Sequence, residues 1–237
     1  MNNRQYTRGS RLPLPVPVNI YSPQSASLAA KRSKLRSAGT ASHDDEAASP
    51  PRIVGGEFRG RKLIYSGDRR VRPMKDRVRE AIFNLIGPAV RGTHAIDLFA
   101  GTGALSLEAL SRGAVSATFV ERHFPTAANI RQNAEALGVT ARSTILPANV
   151  LLWSRRMPEL PSIPWLVFCS PPWELFVSER DALLALMQVL IDRAPPGSQF
   201  VVEADDSFDF RLLPRPDEWL IRAYPPAIVG ILRLATG

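Results

Sequence analysis

Residues 95–113 read Ala-Ile-Asp-Leu-Phe-Ala-Gly-Thr-Gly-Ala-Leu-Ser-Leu-Glu-Ala-Leu-Ser-Arg-Gly. Ala95–Phe99 is an apolar run with one acid, Asp97. Gly101-Thr-Gly103 then turns into a helix of Ala104–Arg112 that Gly113 closes. A strand running through a glycine turn into a helix is the opening unit of an open parallel sheet, where ligands meet the strand tips. The glycines let the backbone approach a ligand, and the turn aims amides above the strand end. A dinucleotide fingerprint would need a third glycine at position 106, where serine stands.

Outward from this unit, strand and helix keep alternating. Strands are expected at Ala117–Glu121, Arg142–Leu146, Trp165–Cys169, Gln199–Ala204, Trp219–Tyr224 and Ile228–Leu234. One helix starts at Pro125 and runs to Leu137; another is capped by Ser178 and runs through Ile191. The expected fold is α/β, a mostly parallel seven-stranded sheet with helices on both faces. With no helix between 224 and 228, the last two strands form an antiparallel hairpin.

Two groups of residues carry chemistry. Asp97 before the turn would repel a pyrophosphate but could hold an ammonium group. Glu121, 24 residues on, ends the second strand, where an acid can bind both ribose hydroxyls. With Phe99, Gly101 and Gly103 they fit S-adenosylmethionine better than a nicotinamide dinucleotide; the plain alternatives are a helix cap and a surface charge. The second group, Ser170-Pro171-Pro172-Trp173, follows a strand directly. Two prolines fix the backbone and leave carbonyls as acceptors. An exocyclic base amine is a poor nucleophile because its lone pair is shared with the ring. Accepting its hydrogens at Ser170 Oγ and the Pro171 carbonyl favours an attacking nitrogen, and Trp173 can stack on the extruded base. Glu203-Ala-Asp-Asp206 could line the substrate pocket but reads better as an acidic loop, and Cys169 reads as a buried small hydrophobe. His43, His94 and His123 have no metal-ligand spacing, and no metal is expected.

The net charge of +8 is unevenly spread over the 237 residues. Residues 1–50 carry 7 Lys/Arg against 3 Asp/Glu, residues 51–92 carry 11 against 4, and residues 93–237 carry 12 against 15. A basic front ahead of a slightly acidic body suggests a polyanionic partner held by the N-terminal part. Residues 1–50, rich in proline, serine and alanine, are expected to be a disordered basic tail. Residues 51–92 are expected to form a polyanion-binding extension: a short hairpin turning at Gly55-Gly56, then a helix with Asp76 as N-cap and Gly87-Pro88 as stop. Residues 93–237 are the expected catalytic domain. At 45% hydrophobic there is material for a core, and a single cysteine excludes a disulfide framework. No window approaches the ~18–20 apolar residues of a membrane span, so a soluble, cytoplasmic, monomeric protein is expected.

From Arg52 to its end the chain resembles the bacterial 16S rRNA guanine-N2 methyltransferase family of small Rossmann-like enzymes. The resemblance rests on Arg52–Leu63, Arg72-Pro-x-x-Asp76-Arg-Val-Arg-Glu80, Asp97–Leu110, the Asn133 helix and the Pro-Pro-aromatic loop. It implies methyl transfer from S-adenosylmethionine to a guanine amine on a nearly assembled small ribosomal subunit. It also implies cofactor contacts from Asp97, Gly101, Gly103, Glu121 and Asn149, and RNA contacts from Arg59, Arg61, Lys62, Arg72, Lys75, Arg77 and Arg79. The sequence departs from the family where Ser170 replaces Asp or Asn, where Asn149 replaces an acid, and where Met74-Lys75 replaces a small polar residue. Those departures keep two rivals open: a ribosome-assembly factor without turnover, and a DNA cytosine-N4 methyltransferase, whose loops also carry Ser-Pro-Pro-aromatic.

Overall fold

The computed structural model describes residues 50–68, 71 and 73–237. The tail expected over 1–50 lies outside the described residues apart from Pro50, and so does Arg72. The strands are β1 His94–Asp97, β2 Ser116–Val120, β3 Ser143–Leu146, β4 Trp165–Cys169, β5 Gln199–Ala204, β6 Leu220–Tyr224 and β7 Ala227–Arg233. They form one sheet in the order β3-β2-β1-β4-β5-β7-β6. β1 to β5 pair in parallel, while β7 runs antiparallel to both β5 and β6. This is the Rossmann-like methyltransferase fold expected from the sequence.

The continuous apolar runs are explained by burial on both faces, with alternate residues serving opposite sides. Leu166 and Phe168 join one core cluster, whereas Trp165, Val167 and Cys169 join the other. Helices α1 (Asp76–Ile86), α2 (Ala104–Ser111) and α3 (Phe124–Ala136) contribute Ile82, Leu107 and Ile130 to the first cluster. Two short helices, α4 (Val150–Ser154) and α5 (Leu175–Ser178), precede α6 (Arg180–Arg193), whose Leu183, Leu186 and Leu190 fill the second cluster. Ser178 therefore closes α5 instead of capping the next helix. The buried Phe176 anchors that extra turn, its ring centroid 4.2 Å from that of Phe208.

The hairpin expected after Arg52 shrinks to one antiparallel bridge, Arg52 with Lys62. Three backbone bonds still join its arms, from Ile53 N–H to the Arg61 carbonyl at 2.9 Å and from Gly60 and Leu63 N–H to the Ile53 and Pro51 carbonyls, both at 2.8 Å, while the donors of the turn between them go to α2. Val54 N–H donates to Glu108 Oε2 at 2.7 Å, Glu57 N–H to the Ser111 carbonyl at 2.8 Å, and Phe58 N–H to Ser111 Oγ at 2.9 Å. Gly56 makes that approach possible: at φ +77°, a Cβ there would stand 2.0 Å from the Ser111 carbonyl oxygen.

In α1 the N-cap is Lys75, not Asp76, and no side chain caps the helix. Asp76 is its first helical residue and pairs with Arg52 and Arg79, both at 2.8 Å. Arg79 is wholly buried and bound to Asp76 Oδ1, to the carbonyls of Met74 and Arg52, and, at 3.8 Å, to Glu108. Its assignment as a phosphate contact is corrected: the guanidinium joins the N-terminal segment, α1 and α2, and no phosphate can reach it.

Candidate functional site

The order of the sheet reverses between β1 and β4, and a crevice at the strand tips is where such sheets take ligands. The tips of β1, β2, β4 and β5 bring together Asp97, Glu121, Ser170 and Glu203. Register fixes the neighbours: Asp97 lies beside Phe168, and Cys169 beside Val202.

Asp97 is 1% exposed, and its Oδ2 has no hydrogen-bond partner. Burial pushes its carboxyl up to about 7, the nearby Ser106 amide and hydroxyl pull it back, and the Glu121 charge adds to the rise. An acid held this way is an unsatisfied site for a cation or a strong donor. Glu121 sits just beyond β2 and spans two loops, accepting from Gly101 N–H at 2.8 Å and His123 N–H at 2.7 Å. Those bonds fix the carboxylate beside the glycine turn while leaving further acceptor capacity. Phe99, partly buried, packs against the second core cluster under the same turn.

Gly103 has φ +75°, and a Cβ there would lie 3.2 Å from Ile130 Cγ2 on α3. Gly103→Ala is expected to lower stability by about 1–2 kcal/mol through the left-handed backbone, with more from the contact. Urea unfolding checks this: an unchanged midpoint would show that the turn tolerates a side chain.

Asn149 is less committed to a ligand than its position suggests. It is exposed and N-caps α4, its Oδ1 accepting from Leu151 N–H at 2.8 Å. One lone pair remains for a ligand donor.

On the β4 side, Pro171 is buried, Pro172 exposed, and Ser170 and Trp173 half-buried. The Ser170 hydroxyl donates to Glu203 Oε2, so its lone pairs stay available as acceptors. For Glu203, sequence reasoning weighs a pocket-lining acid against a loop and prefers the loop. Glu203 itself lies within β5, and burial pushes its carboxyl above the ordinary range while Ser170 and Trp173 pull it back. The missed signal was its position next to the last residue of a strand that neighbours β4.

Arg59, Arg61, Lys62, Lys75 and Arg77 are all exposed. Arg61 donates to the Ala136 carbonyl at 2.8 Å and Arg77 to the Pro225 carbonyl at 2.6 Å, yet among the described residues none of the five pairs with a carboxylate. His94 is structural: it is buried between the Ser116 and Thr118 hydroxyls, and burial lowers it to about 4. Two surface hollows, one lined by Arg131 and Glu135 and the other by Arg77 and Tyr224, contain neither the glycine turn nor the Pro-Pro loop. They lack the converging, perturbed acids of the strand tips, which remain the stronger site.

The family described as Conserved hypothetical protein 95 matches residues 51–207. Ribosomal RNA small subunit methyltransferase D of Escherichia coli (strain K12) is 32% identical over 169 residues, covering 71% of this chain and 80% of that one. Among solved structures, "Putative methyltransferase yhhF from Escherichia coli" is 26% identical with a TM-score of 0.66, covering 80% of this chain and 100% of that chain. The Thermus thermophilus 16S rRNA N2 G1207 methyltransferase, solved with AdoMet and guanosine, has a TM-score of 0.59. At 22% identity, over 78% of this chain and 49% of that one, it shares the fold.

Proposed function

Because this chain belongs to the Conserved hypothetical protein 95 family, that of ribosomal RNA small subunit methyltransferase D, we propose that it transfers a methyl group from S-adenosylmethionine to the exocyclic N2 amine of a guanine in small-subunit ribosomal RNA. The observation that carries the reading is Asp97: a buried carboxylate oxygen without a partner, beside a glycine turn held by Glu121. That arrangement fits the ammonium group and ribose of the proposed cofactor, which when bound supplies an electrophilic methyl on a sulfonium.

This chain's residues act by holding and orienting. Asp97 binds the ammonium, Glu121 the ribose hydroxyls, and the Gly101–Gly103 turn leaves backbone room for the donor. Ser170 Oγ and the Pro171 carbonyl accept the guanine amine hydrogens while Trp173 stacks on the base. Catalysis is then positioning for in-line displacement, without a covalent enzyme intermediate. Among the described residues no helix is long and apolar enough to cross a membrane, and an RNA substrate of this kind is met in the cytoplasm.

Incubating the protein with labelled S-adenosylmethionine and small-subunit RNA, naked or assembled, tests the reading after digestion to nucleosides. N2-methylguanosine is expected; label on cytosine, or on no nucleoside, would overturn it.

The exposed basic residues of the N-terminal segment supply the RNA grip in this reading. Reversing Arg59, Arg61 and Lys62 to Glu should weaken RNA binding and flatten its salt dependence. Three lost phosphate contacts at ~0.7 each make the log–log slope shallower by about 2. Filter binding from low to moderate salt measures it, and an unchanged slope would remove these residues from the interface.

A further inference from the structure

We infer that Glu203 is the terminal proton acceptor of the reaction, working through Ser170 as a two-residue relay. The inference rests on the methyl-transfer reading above and goes beyond it by assigning a residue outside the Pro-Pro loop. Three observations converge on it. The Ser170 hydroxyl donates to Glu203 Oε2 across neighbouring strands, from the loop after β4 to the tip of β5. Trp173, on the same loop, stands near enough to the Glu203 carboxylate to favour its ionised form. Glu203 is half-buried, so it meets both the site and solvent.

The departure from the family's loop now has a physical account. A serine hydroxyl alone is a weak acceptor of an amine proton, but one already donating to a carboxylate is polarised toward accepting. As the guanine N2 lone pair forms the new N–C bond, the C–S bond breaks and its electron pair returns to sulfur, leaving a neutral thioether. The nitrogen is then cationic with two hydrogens. One proton passes to Ser170 Oγ as the serine's own proton passes to Glu203 Oε2. The products are a neutral N-methylguanine, an unchanged serine and a protonated Glu203, which returns its proton to water.

The groups around Glu203 are consistent with that task. Ser170 and Trp173 face it from the β4 loop, Cys169 lies within electrostatic reach on β4, and Asp205 lies on its own loop. Its register partner on β7 is Val229, which carries no charge. Burial and the Asp205 charge raise its carboxyl, while Ser170 and Trp173 lower it. A base that must take a proton and release it again benefits from being moved toward the working pH.

Glu203→Gln keeps an acceptor for the Ser170 hydroxyl and removes the place for the proton. In the full-length protein, kcat is expected to fall about 100-fold or more, with KM for S-adenosylmethionine and RNA affinity unchanged. The acid limb of the wild-type kcat profile, set by protonation of Glu203, should vanish in the variant. Ser170→Ala with Glu203→Gln should be no slower than the slower single variant, since each breaks the same relay. A readout independent of turnover is the Glu203 carboxyl titration followed by carbon NMR. It should shift upward in Ser170→Ala, because the bond that favours the ionised form is gone. A Glu203→Gln variant with wild-type kcat and pH profile overturns the relay while leaving the methyltransferase reading intact. A wild-type protein that transfers no methyl to any RNA overturns both.

Discussion

Replacing Asp97 by asparagine is expected to stabilise the ligand-free protein at pH 8 and to weaken S-adenosylhomocysteine binding about 100-fold. Both effects follow from one buried carboxylate. Asp97 titrates near 7 in the folded chain, against an ordinary 3.8, mainly because burial disfavours its charge. Between those values the native state holds a proton that the unfolded chain has released. Stability therefore falls as pH rises through this window, by about 1.4 kcal/mol per pH unit and on the order of 4 kcal/mol in all. Asparagine cannot ionise, so it escapes that loss. Leaving its amide unpaired costs about 1–3 kcal/mol, and the balance still favours the variant at pH 8. Binding moves the other way, because an amide cannot pair with the ligand's ammonium as a charge. About 3 kcal/mol for a charge-assisted bond corresponds to the 100-fold loss. In the wild type, affinity should also weaken as pH drops below about 7, where Asp97 must give up its proton to bind. Urea unfolding and calorimetry at pH 6 and pH 8 measure the pair of effects. A variant that is less stable at pH 8 and binds the ligand as well as the parent would show that Asp97 serves the fold alone.

What the sequence made legible follows from range. The runs Trp165–Cys169 and Gln199–Ala204 coincide with β4 and β5, because strands buried on both faces need unbroken apolar composition and little else. The glycine turn was legible for a similar reason, since its backbone requirements lie within seven residues. Elements set by distant partners were not. The expected hairpin after Arg52 does pair its arms, but the path of its turn is set by three bonds to α2, more than 50 residues away. The extra helix α5 depends on Phe176 meeting Phe208. Glu203 read as part of an acidic loop because nothing local says that β5 lies against β4. Its partnership with Ser170 spans 33 residues and exists only in the folded sheet. Asn149 shows the converse, a local role beside the one its family position implies. Family position implied a ligand contact, while its own two-residue neighbourhood already employs the amide as a helix cap.

The same distinction governs the basic N-terminal segment, and Arg79→Ala tests it with the largest stability change expected here. By sequence Arg79 belongs to a run of cations, Lys75, Arg77 and Arg79, on one helix turn. In three dimensions the first two are exposed and the third is wholly buried. Removing its guanidinium leaves the buried Glu108 with Arg112, at 2.7 Å, as its one cation beside the Val54 N–H, and strips the Arg52 and Met74 carbonyls of a donor. Breaking a buried pair from one side costs about 3–5 kcal/mol, which for a folded unit of this size is a fall in Tm of roughly 10 °C. Lysine should not rescue it, because a single ammonium cannot reproduce a fork that serves several acceptors at once. Lys75→Ala, on the exposed turn, should stay within about 0.5 kcal/mol of the parent. Calorimetric unfolding of the three variants, with RNA salt titrations well below each Tm, separates the roles. Arg79→Ala should lose thermal stability and keep the parent salt slope, whereas Lys75→Ala should do the reverse. An Arg79→Ala protein with the parent's Tm and a shallower slope would return this side chain to the RNA interface, against the burial that now excludes it.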